Sequence, residues 1–77
     1  MILLSGRKLI EHLDFAYGIS TYRLGQEAGV STGHLYRVRR GKKNLGLKAA
    51  IKIQEALLRL NAEAATWFAQ QVFPGKM

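Results

Sequence analysis

The sequence contains no cysteine, a single proline, and only five acidic residues against twelve lysines and arginines. Without cysteine, neither disulfides nor zinc–thiolate sites can staple the fold. The two histidines, His12 and His34, stand far apart with no metal-binding spacing, so no metal and no cofactor is expected. Pro74 lies near the end and forbids no helix before it. The longest apolar run, residues 1–4, is far short of the ~20 residues a membrane-spanning helix needs. Arg7 and Lys8 follow that run, whereas a secretory signal puts its positive charge first. A cytoplasmic chain without membrane contact is expected. The carboxylates are scattered, no nucleophile is paired with a base, and no P-loop glycine run occurs, so an enzyme is not expected.

What is present is positive charge, and it is focused. The chain has 77 residues and a net charge of +7. Residues 1–36 set Arg7, Lys8 and Arg23 against Glu11, Asp14 and Glu27 and sum to zero. Residues 53–77 set Arg59 and Lys76 against Glu55 and Glu63, with the same result. The whole excess lies in residues 37–52, which carry Arg37, Arg39, Arg40, Lys42, Lys43, Lys48 and Lys52 and no acid. Charge placed only for solubility would be scattered; charge focused in this way gives a directional field suited to a polyanion.

The punctuation predicts an all-α fold of five helices, about 6–17, 21–28, 32–39, 45–59 and 62–73. Ser5, Ser20, Ser31, Asn44 and Asn61 are the expected N-caps, and Gly18, Gly29 and Gly41 the expected stops. Leu9, Ile10, Leu13 and Ala16 form the apolar face of the first helix, with Leu4 and Leu9 as a hydrophobic staple. A chain this short makes one domain with a small core, standing on helix packing alone, and dimerisation would help it.

The second and third helices are short and joined by Gly29-Val30-Ser31. Leu24 and Ala28 lie one turn apart on one, Leu35 and Val38 on the other, and Val30 plugs the space between. Gly25 falls where the two helices approach, and Gly29 suits a positive φ. The stretch "STYRLGQEAGVSTGHLYRVRRGK", residues 20–42, resembles the helix-turn-helix of the lambdoid repressor and Cro class of phage and bacterial regulators. The matching positions are Leu24, Gly25, Ala28, Gly29, Val30, Ser31, Leu35, Val38 and Gly41-Lys42, and the likeness extends over residues 6–60.

That resemblance implies a DNA-binding domain over residues 1–77 whose helix 32–39 enters the major groove. Thr32, Gly33, Tyr36 and Arg37 would then face base edges, with Arg37 suited to a bidentate pair with guanine. Gly33 departs from the family, which usually places a longer polar side chain there. Either the backbone comes unusually close to DNA at Gly33 or that base is not read. His34 adjoins this face and reads as a surface residue near the backbone. Ser20, Thr21, Tyr22 and Arg23 would hold phosphates on one side, and Arg40, Lys42, Lys43 and Asn44 on the other. Lys48 and Lys52, one turn apart, would extend the clamp or add field. The family commonly pairs a basic residue late in the first helix with an acidic one late in the recognition helix. Here Asp14 and Arg39 occupy those positions with reversed signs, which implies a swapped structural salt bridge.

The last helix, within 62–77, is expected to pack and dimerise. Phe68 and Val72 are assigned to the core, and Trp67 and Phe73 to a dimer contact, because so small a domain should not cover all its aromatics. A two-fold dimer would present two recognition helices about 34 Å apart to a palindromic operator. The functional expectation is a repressor acting on double-stranded DNA. Two alternatives stand beside it. One is an autoregulating antitoxin, which the "AATWFAQQ" segment loosely resembles and which would need a toxin partner. The other is a basic module binding RNA or a membrane surface.

Overall fold

The structure, a computed structural model, describes residues 5–73. Five helices follow one another: α1 (Gly6–Tyr17), α2 (Thr21–Ala28), α3 (Thr32–Arg39), α4 (Leu47–Leu60) and α5 (Ala62–Val72). Among the described residues there is no strand, and the fold is all-α. Four helices start on a side chain that takes up a free backbone N–H. Ser5 Oγ accepts from the Lys8 N–H at 3.3 Å, Ser20 Oγ from Arg23 at 3.1 Å and Ser31 Oγ from His34 at 3.4 Å. Asn61 Oδ1 accepts from both Glu63 and Ala64, at 3.0 and 3.1 Å. The proposed staple between Leu4 and Leu9 lies partly outside the described residues, as do residues 74–77 of the terminal segment.

α4 departs from expectation. It begins at Leu47, and its cap is Gly46, with no side-chain hydrogen bond. Asn44 sits exposed in the loop. The reason is Leu45, which is buried in the core. A Cβ on Gly6 would lie 3.0 Å from the Leu45 Cβ, so α1 closes directly over this residue. Burying Leu45 keeps the chain out of helix for two residues longer than its capping signal implied. α1 departs at one residue. Ala16 is exposed, and the half-buried Tyr17 packs on the core instead.

The core joins all five helices. Leu9, Ile10 and Leu13 of α1 meet Leu24 of α2, Leu35 and Val38 of α3, Ile53 and Leu57 of α4, and Phe68 of α5, all essentially inaccessible to water. Contacts run α1 to α3, α2 to α3, α2 to α4 and α4 to α5, so α2 and α3 are held from both sides. Truncating Phe68 to alanine would leave a void of the kind that costs about 3–5 kcal/mol.

Between α2 and α3 the chain turns through Gly29, which is left-handed at φ 70°. A Cβ on Gly25 would lie 2.7 Å from Thr32 Cγ2 and 2.9 Å from the Val30 carbonyl oxygen. Only a residue without a side chain lets the turn pack this closely on α2. Among the described residues, no helix is long and apolar enough to cross a membrane.

Candidate functional site

α3 is anchored by one face and free on the other. Leu35 and Val38 are fully buried, which fixes the rotation of the helix. Tyr36, Arg37 and Arg40 consequently point away from the core and are exposed. Gly33 is exposed as well, and a Cβ there would meet only Ser31 Oγ, at 3.6 Å. Thr32 is half-buried, with its methyl group against Gly25, and His34 is half-buried.

The end of α3 sets the direction of the next cations. The Lys42 N–H donates to the Arg37 carbonyl at 2.9 Å, and the Gly41 N–H to the Val38 carbonyl at 3.0 Å. This paired closure needs a left-handed residue at Gly41, whose φ is 78°. The chain leaves the helix there, and Lys42, Lys43 and Asn44 are exposed on the loop that follows. The start of α2 adds exposed Ser20, Tyr22 and Arg23. The N–H groups of Thr21 and Tyr22 are not taken up by the Ser20 cap, which accepts from Arg23.

Thr21 does not fit the role assigned to it. Its side chain is 2% exposed, and its hydroxyl accepts from Arg39 Nη1 at 2.9 Å. What it can offer outward is its backbone N–H. The same guanidinium nitrogen of Arg39 lies 2.9 Å from Asp14 Oδ2. Arg39 therefore ties the end of α1, the start of α2 and the end of α3 together with one nitrogen. The side chains of Arg39 and Asp14 are 34% and 37% exposed. Solvent at a pair this open screens it, so the several kcal/mol of a buried pair is too high; about 1–2 kcal/mol is the fitting scale.

Among the described residues the only other ion pair is Arg7 with Glu11, at 3.4 Å on the surface of α1. Among the described residues, Arg37, Arg40, Lys42, Lys43, Lys48 and Lys52 have no carboxylate within salt-bridge distance. Tyr36, Arg39 and Arg40 line a shallow groove with Arg7 and Glu11. A second groove beside it is lined by Glu11, Asp14, Phe15 and Arg39. Among the described residues no cluster of three or more metal-ligating side chains occurs.

Trp67 and Phe73 are half-buried and pack on the core of their own chain. The Trp67 ring stacks on His12 at 4.1 Å between centroids and 22° between planes, with Tyr17 nearby. α1 thus covers part of the Trp67 ring, while Trp67 and Phe73 both stay partly accessible. His12 gave no sign of this in the sequence, because its partner is more than fifty residues away.

Two further features escaped the sequence reading. Phe15 is 96% exposed, a large aromatic with almost no contact. Its offset from the Leu9–Leu13 face would have revealed it on a helical projection. Arg59 Nη2 donates to the Glu27 carbonyl at 2.8 Å and so stitches α4 to the end of α2. Nothing local signals that contact.

No protein-family model matches the chain, and searches of the curated proteins and of the solved structures return no significant match.

Proposed function

We propose that the protein is a sequence-specific DNA-binding regulator of transcription, of repressor type, that binds a palindromic operator as a homodimer with α3 in the major groove. The observation that carries this reading is the state of the cations on and just beyond α3. Arg37, Arg40, Lys42 and Lys43 are exposed and have no acidic partner among the described residues, while Arg39, within the same run, is engaged by the fold. A field of unpaired cations on a helix whose inner face is locked by Leu35 and Val38 suits a rigid polyanion with a groove.

On this reading Arg37 pairs with a guanine edge, Tyr36 packs on sugar or a thymine methyl, and Thr32 and Gly33 lie nearest the bases. Arg40, Lys42, Lys43 and Asn44 hold one phosphate strand. Ser20, Tyr22, Arg23 and the N–H groups at the start of α2 hold the other. Thr21 contributes by its backbone alone. The resemblance of residues 20–42 to the repressor and Cro class supports the same assignment.

The test is a selection of random duplexes by the purified chain, followed by sequencing. A palindromic enriched site is the expected result. An even spread of recovered sequences, or equal retention of RNA and acidic vesicles, would count against sequence-specific reading of DNA.

A further inference from the structure

α4 buries one side and leaves a second apolar line uncovered. Ala50, Ile53, Ala56 and Leu57 face the core. Leu47, Ile51 and Leu58 are 64%, 43% and 63% exposed. With the half-buried Gln54 they follow a 4–3–4 spacing, which places all four along one stripe of the helix. Single exposed leucines are ordinary, but three large aliphatic groups aligned on one helix are the pattern of a helix–helix seam.

The charges beside the stripe indicate what covers it. Lys48 and Glu55 are exposed, stand seven positions apart and flank the same side of the stripe. Neither has an ion-pair partner among the described residues. If a second α4 lies antiparallel across a two-fold axis, Leu47 meets Leu58 of the second copy and Ile51 meets its Gln54. The same operation brings Lys48 beside Glu55 of the second copy, and by symmetry Glu55 beside its Lys48. A parallel two-fold arrangement would instead put Lys48 and Glu55 of the two copies on opposite sides of the seam, out of each other's reach.

We propose that the α4 stripe is a homodimer interface, in which a second copy of this chain packs antiparallel on Leu47, Ile51 and Leu58 with reciprocal Lys48–Glu55 pairs. It deepens the dimer part of the proposed function, resting on that reading for the expectation of a two-fold dimer, and it moves the contact from Trp67 and Phe73 to α4. One short helix pair is small beside a standard interface, so the dimer is weak and concentration-dependent.

Sedimentation equilibrium of the full chain from about 10 μM to about 1 mM tests it. The expected result is a rise from monomer toward dimer mass. Leu58→Glu weakens the dimer about tenfold or more, since it sets a carboxylate in the seam. Lys48→Glu and Glu55→Lys each weaken it about threefold to tenfold, and the double exchange Lys48→Glu/Glu55→Lys restores it to within about twofold of the starting affinity. All three positions are exposed, so circular dichroism should show unchanged helicity in each variant. A monomer at every concentration overturns the proposal. So does a dimer indifferent to Leu58→Glu, or a double exchange that fails to restore association. Arg37→Ala separates this inference from the DNA reading. It should dimerise normally, so loss of cognate DNA binding with intact dimer leaves the interface standing, and a monomer that binds its site leaves the DNA reading standing.

Discussion

Arg39 and Arg37 are two residues apart and carry the same charge, yet their surroundings differ. Arg39 is held by Asp14 and Thr21, and Arg37 has no side-chain partner among the described residues. Asp14→Ala and Arg39→Ala should each lower unfolding free energy by about 1–2 kcal/mol. Urea denaturation of the two single variants and the double variant measures the coupling. A double variant no less stable than the worse single supports a shared interaction; additive losses contradict it. The pairing of Asp14 and Arg39 was legible in the sequence because both residues fall where the resembling family places a pair of opposite order. The part played by Thr21 was not legible. A threonine in the first turn of a helix reads equally as an outward hydroxyl or an inward one, and only the packing of α3 against α2 decides.

At the scale of elements, the tight points are glycines that differ in kind. Gly25 is required by space, because a Cβ there would overlap the Val30 carbonyl oxygen at 2.9 Å. Gly25→Ala should destabilise the fold by about 1–3 kcal/mol, read as a lower thermal midpoint. Gly33 is required by nothing inside the fold: its Cβ position is open, and its φ is not positive. Gly33→Ala should therefore stabilise α3 by about 1 kcal/mol, read as a higher midpoint in the same assay. A lower midpoint would mean that the start of α3 is strained by a side chain there. Four of the five N-caps could be read directly, because Ser or Asn followed by an amphipathic run has a local cause. The start of α4 could not. Its cap was displaced by the burial of Leu45 under Gly6, a contact between segments almost forty residues apart.

Across the whole molecule, the charge excess was legible from counting alone, since seven cations without an acid fall in sixteen residues. The packing of Trp67 was not, because its cover comes from His12 and Tyr17 at the far end of the chain. Lys42→Ala and Lys43→Ala should each weaken binding to all duplexes about equally, and each should reduce the slope of log affinity against log salt by about 1. Titrations at several salt concentrations, on cognate and random duplexes, measure that. A loss confined to the cognate site would reassign these lysines from phosphate to base contact.

The central claim is that α3 reads sequence through its outward face, and Arg37→Ala tests it most directly. Binding of the unaltered chain and the variant is measured on the selected duplex and on a random one, at one salt concentration. The account predicts a loss of about 1–3 kcal/mol on the selected duplex and little change on the random one. An equal loss on both would show Arg37 acting as one more phosphate cation and would contradict the account.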